Sequence, residues 1–329
     1  MVCRAGARRR ATVHWENGPP ILLRQGYGGQ ASGGPTSDCI VPVEAPWTTF
    51  SRLTKLPIAS ASTLTAAAGY LASARQFHAG IFSMLLGILL LAMASCALNE
   101  LQERHLDARM ERTAKRPLPS GKISPAWVLT LILALAFSGF DLLLLHGWSA
   151  AILGLAALVW YNGIYTPLKR WTPFAVVPGA LIGAIPPAIG WTAAGGSWSD
   201  PGMLALCLVF FLWQVPHFWL LFLRHEHDYT RAGFPCLSAR FTPRQSRRIL
   251  FIWTTSVICA CGLLPAFRVL QSLLSTGMIA IGGLWLGFLA ASLLRTDLTP
   301  RSSSRLFAGI NLFALLLTAA AALDPFLVV

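Results

Sequence analysis

The sequence predicts an all-α integral membrane protein with nine transmembrane helices. Three observations carry that expectation. Of 329 residues, 55% are hydrophobic and only 12% are charged, whereas a soluble domain carries about 25% charged residues. Several apolar stretches reach the roughly 20 residues that a bilayer crossing needs. Lys and Arg also alternate sharply between successive loops. The period-2 alternation of barrel strands is absent, so helices are the solution that satisfies the backbone in lipid.

Residues 1–46 stand apart. They are rich in Arg, Gly and Pro, with a GYGGQASGG run. They contain no apolar h-region and so no secretory signal. Such composition buries no core, and the segment is expected to be disordered or a misassigned N-terminal extension. A transit-like arm is a further reading, against which Glu16, Asp38 and Glu44 weigh. Residues 47–329 form the expected polytopic domain.

Apolar runs place the nine spans at about 57–76, 79–98, 125–145, 147–164, 174–194, 202–223, 249–267, 272–294 and 306–323. The loops after spans two, four, six and eight hold seventeen Lys and Arg residues; on the other side stand Arg75 and Arg268 alone. By the positive-inside rule the basic loops are cytoplasmic, the N-terminus is inside and the C-terminus outside. The net charge of +13 therefore reads as membrane topology, not as a nucleic-acid surface. Seven cysteines, most of them in apolar runs, form no CxxC pair. They imply neither a disulfide framework nor a zinc site.

Four constellations carry chemistry. Asn99, Glu103 and Asp107 follow span two at a spacing of four, which puts them on one helical face. Stacked carboxylates repel, a cost that makes sense if a hard divalent cation such as Mg²⁺ sits between them with substrate phosphates. Arg112, Lys115 and Arg116 follow directly. Acid for metal and base for phosphate oxygens is the pairing that diphosphate chemistry requires; positive-inside arginines alone would explain only the basic half. In the loop after span four, Tyr165, Lys169 and Arg170 offer a second clamp or, read alone, interfacial anchors. Gly179-x-x-x-Gly183 with Pro186 and Pro187 reads as structural, through close approach and a kink. Around span six come Trp213, His217, Arg224 and Asp228. His217 is an intramembrane ionisable residue and so a candidate by default, set against a hydrogen-bonded structural histidine. Asp228, with Glu226 beside it, supplies a second acidic group; His225 and His227 read as a solvated loop.

The stretches NELQERHLDARMERTAKRPLPSGKISP (99–125), YTPLKRWTPFAVVPGALIGAIPPAIGW (165–191) and FLWQVPHFWLLFLRHEHDYTRAGFPCL (211–237) together resemble the protohaem IX farnesyltransferase (haem O synthase) family of the UbiA prenyltransferase superfamily. The resemblance covers roughly 47–325. It implies a UbiA-type bundle around a central cavity, Mg²⁺ as cofactor, and farnesyl transfer from farnesyl diphosphate to a vinyl group of haem B, giving haem O and diphosphate. By position, Asn99, Glu103, Asp107 and Asp228 match its catalytic acidic regions, with Glu103, Asp107 and Asp228 as metal ligands. Arg112, Lys169 and Arg170 match basic residues expected to contact the diphosphate; Lys115, Arg116, Tyr165, Trp213, His217 and Arg224 complete the candidate substrate-binding set. Glu103 stands where Asp is usual, His105 where a further Asp is frequent, and Arg224 at one end of the second DxxxD spacing. A bacterial inner membrane is the simpler expectation, a mitochondrial one following if residues 1–46 are a transit peptide, and haem A synthase or terminal-oxidase assembly factors are candidate docking partners. Prenyl transfer to an aromatic quinone precursor and a non-enzymatic haem or isoprenoid carrier are the rival readings. The haem-branch motifs disfavour the first; the absence of a second broken span disfavours the second.

Overall fold

The computed structural model describes residues 13–14, 21–22, 46–295 and 299–328. The expectation of disorder over 1–46 falls almost wholly outside them. The chain divides into two units, 1–51 and 52–329. In the first, Val13–His14 pairs antiparallel with Ile21–Leu22, and helix α1 (Pro46–Leu53) begins.

The second unit is helical: α2 (Leu56–Ala74), α3 (Ile81–Asp107), α4 (Pro125–Leu144), α5 (Trp148–Leu168), α6 (Pro173–Ala193), α7 (Pro201–Arg224), the short α8 (Glu226–Arg231), α9 (Pro243–Ala266), α10 (Leu273–Arg295) and α11 (Pro300–Leu323). Among the described residues, eight helices are long and apolar enough to cross a membrane. Nine were expected, and α2 is the difference. It has the length, 19 residues, but is rich in Ala, Ser and Thr. Packing explains this composition. A Cβ on Gly190 of α6 would overlap the Ala66 carbonyl, and one on Gly69 of α2 would overlap the Pro187 carbonyl. Backbones this close demand small residues at the contact.

The bundle closes on itself. α2 packs on α3, α6 and α11, while α7 packs on α6, α9 and α11. One apolar core lies among α2–α6 around Met84, Leu143 and Ile189, and a larger one among α6, α7 and α9–α11 around Phe210, Leu286 and Phe313.

Several helices extend past their apolar runs because caps, not hydropathy, start them. Thr242 and Thr299 form capping boxes with Gln245 and Ser302, each followed by Pro. So α9 and α11 begin six residues before the spans read at 249 and 306. Asp200 and Ser124 cap α7 and α4 more simply, each accepting one backbone N–H, from Gly202 and Trp127. At its far end α3 runs nine residues beyond the expected limit of span two, carrying the acidic motif onto a rigid helix. The twin prolines lie inside the last helical stretch of α6, Leu181–Ala193. The GxxxG glycines serve side chains more than backbones: Gly179 makes room for the Tyr165 ring and Gly183 for the Gln214 amide.

Candidate active site

Because α3 stays helical to Asp107, Asn99, Glu103 and Asp107 line one face about 6 Å apart, and all three are buried. Charges so placed need partners, and the basic loops supply them. Lys169 donates to Glu103 Oε2 at 2.7 Å. Arg116 donates to Asp107 Oδ2 at 2.6 Å. Asn99 joins the network: its Nδ2 donates to Glu103 Oε2 and to Thr166 Oγ1, both at 3.1 Å, while Lys55 Nζ donates to its Oδ1 at 2.9 Å. Burial pushes the Lys55 ammonium below its ordinary value; the Arg116 and Lys169 charges add to that shift, and Cys96 and Asp107 oppose it. Arg170 ties the end of α5 back to α3 through the Gln102 carbonyl, 3.2 Å away.

A π turn over Trp160–Tyr165 shifts the register of α5, as such insertions do, and Tyr165 is buried. Lys169 Nζ lies 5.5 Å from the centre of the Tyr165 ring, and Tyr165 stacks on Phe218 at 5.5 Å. From Phe218 the aromatic run continues to His217 at 5.7 Å and on to Trp213, 4.8 Å from that imidazole. Phe222, Tyr229 and Phe234 extend it toward the charged end. Of the expected central cavity, the structure shows a cleft at this end, lined by Lys169, Trp219, Phe222, Tyr229 and Phe234.

Three comparisons with known proteins bear on this site. The model of the UbiA prenyltransferase family matches residues 62–321. The chain belongs to that family. Among curated relatives, it is 40% identical to "Protoheme IX farnesyltransferase" of Geobacter sulfurreducens over 76% of this chain and 89% of the relative. It is 33% identical to the protein of the same name from Christiangramia forsetii over 81% and 90%. Among solved structures, a digeranylgeranylglyceryl phosphate synthase superposes with a TM-score of 0.71 at 15% identity, covering 85% of this chain and 98% of that one. A UbiA homologue from Archaeoglobus fulgidus bound to GPP and Mg²⁺ gives 0.65 at 16%, covering 83% and 98%. These likenesses establish the UbiA fold and an integral membrane prenyltransferase.

Within that fold, Asn99, Glu103, Lys169 and Tyr165 form one connected group, and the Asp107–Arg116 pair stands one helical turn along the same face of α3. Arg112, Lys115, Arg170 and Arg224 are exposed around it. Asp228 is half-buried on α8, and no hydrogen bond or ion pair joins it to Glu103 or Asp107. Among the described residues, no set of three or more His, Cys, Asp or Glu side chains is gathered tightly enough to hold an ion. Glu103, Asp107 and Asp228 therefore do not stand as a closed ligand cage, because Lys169 and Arg116 draw the first two carboxylates to themselves. On α8, Glu226 accepts from the Ser238 hydroxyl. His225 lies below its ordinary pKa through burial and the nearby Arg112 and Arg224 charges. Burial pushes the Tyr229 hydroxyl up, so it stays a neutral donor.

Sequence reasoning missed Lys55, Thr166 and Glu100. Glu100 is fully buried. Its spacing of three and seven from Glu103 and Asp107 is the standard same-face pattern and was available in the sequence; the spacing of four hid it. Lys55 lies 44 residues from Asn99, and no local pattern joins them.

Proposed function

We propose that this chain is a haem O synthase: it transfers the farnesyl group of farnesyl diphosphate to a vinyl group of haem B, releasing diphosphate. The observation that carries the reading is the junction of two unlike surfaces. Buried carboxylates paired with Lys169 and Arg116 meet an aromatic run that begins at Tyr165, directly under the Lys169 ammonium. The name shared by the curated relatives supports haem as the acceptor.

The residues suit Mg²⁺. Glu103 Oε1 is buried with no partner, and two hard carboxylates one helical turn apart, completed by phosphate oxygens, form a donor set that the ion accepts. When bound, Mg²⁺ neutralises charge that builds on the departing diphosphate. Lys169 and Arg116 stand ready to turn from carboxylate to phosphate oxygens, holding the leaving group more strongly as the allylic carbon–oxygen bond breaks. Tyr165 and Phe218 keep water from the nascent allylic cation and stabilise it with their ring faces. The cation takes the vinyl π-electrons to form a carbon–carbon bond. Water adds to the benzylic-type cation that remains and loses a proton, leaving a hydroxyl. The positive-inside pattern supports an orientation with this end cytoplasmic, and the bacterial sources of the curated relatives support a bacterial plasma membrane.

Membranes containing the chain, given haem B, farnesyl diphosphate and Mg²⁺, should yield a haem whose mass has gained one farnesyl and one hydroxyl. Unmodified haem, with prenylation of an aromatic acid instead, would keep the enzyme class and replace the acceptor.

A further inference from the structure

The wall between α7 and α11 holds a histidine whose protonation pattern the structure dictates. His217 Nδ1 lies 2.9 Å from Asn311 Oδ1. The amide nitrogen of Asn311 is already committed, donating to the Phe307 carbonyl at 2.6 Å. The oxygen is therefore the end that faces the imidazole, and Nδ1 must carry the proton and donate. The lone pair is left on Nε2, which makes no hydrogen bond among the described residues.

The surroundings suit a flat apolar ligand. Trp213, Phe218 and Phe307 rings stand 4.8, 5.7 and 5.2 Å from the imidazole. Trp213 Nε1 donates to the Ile310 carbonyl at 3.0 Å, locking the two helices together. Seven residues along α7, about 10 Å toward the charged end, the Arg224 guanidinium lies 6.0 Å from the Phe307 ring. A neutral nitrogen lone pair in an aromatic wall, with a cation at its wet end, matches a macrocycle that carries a Lewis-acidic centre and carboxylates on one edge. Phe218 then joins this wall to Tyr165 and Lys169, so the acceptor lies beside the diphosphate site.

We propose that Asn311 is a positioning residue that locks His217 in the tautomer whose Nε2 ligates the iron of the haem acceptor, with Arg224 holding a propionate. The inference rests on haem being the acceptor. Metal-bound histidines generally donate their second ring N–H to a carbonyl or carboxylate, and loss of that partner costs about 10–100-fold in affinity.

The test is a titration of the purified full chain with haem B, without farnesyl diphosphate, followed by optical and electron paramagnetic resonance spectra. A histidine-ligated signature is expected in wild type. It should be lost in His217→Gly and restored there by added imidazole. Asn311→Leu should weaken binding by ~10–100-fold and alter the signature, while Asn311→Asp, which keeps the acceptor oxygen, should preserve it. Identical spectra in wild type and in both His217→Gly and Asn311→Leu would overturn the inference; if haem O still formed in wild type, the reaction would stand without it. No haem binding and no haem O in wild type would overturn both.

Discussion

Two buried carboxylate–base ion pairs at opposite ends of the bundle look alike and differ in what they leave unsatisfied. At the end opposite the acidic motif, Asp324 is fully buried. It accepts from Arg75 at 3.0 Å and from the Gln271 and Ser272 backbone N–H groups at 2.9–3.0 Å. Both of its oxygens are in use, and the ends of α2 and α11 are tied to the loop before α10. At the charged end, Glu103 has one oxygen on Lys169 and Asn99 and one on nothing. A saturated pair is a fastener. A pair with spare valence, held by flexible basic chains, is a receptor for a charge yet to arrive.

The contrast can be broken at several points. The largest effect is expected from Asp107→Asn: product formation should fall by ~10²–10³-fold, the scale of losing one charge-stabilising group, with the melting midpoint nearly unmoved. A comparable drop in stability would make Asp107 a fastener too. Lys169→Met should raise KM for the diphosphate substrate ~10-fold or more, since a charge-assisted hydrogen bond contributes about 1.5–3 kcal/mol; kinetics at varied farnesyl diphosphate would show it. Asp324→Asn should do the reverse, lowering stability by about 1–3 kcal/mol as buried donors lose an acceptor, while kcat of the folded fraction stays as in wild type. Chelation of divalent cations should abolish turnover and shift the thermal midpoint little, because Lys169 and Arg116 return to the carboxylates. A large loss of stability on chelation would contradict that picture.

The charged end was far more legible in the sequence than the other. Asn99, Glu103, Asp107, Lys169 and Tyr165 were readable because their chemistry is compressed into short motifs on helix ends. Spans were legible from apolar runs, though not their starts at Thr242 and Thr299, where capping operates in polar sequence. The α2 helix departs from the apolar composition of the other spans because it packs backbone to backbone on α6, Gly69 meeting the Pro187 carbonyl and Gly190 the Ala66 carbonyl. Arg75 and Asp324 are 249 residues apart; in the sequence Arg75 was an exception to the charge rule, and only folding shows that it neutralises a buried carboxylate. Asn311 was silent for the same reason: an Asn in an apolar helix has meaning only once α7 lies beside α11.

The most direct test of the central claim is the affinity of a non-reactive farnesyl diphosphate analogue measured with and without Mg²⁺. Wild type should bind much more tightly with the ion, and Glu103→Gln and Asp107→Asn should each lose that dependence while remaining folded. Undiminished Mg²⁺-dependent binding in both variants would show that these carboxylates are fasteners like Asp324 and that the diphosphate is held elsewhere.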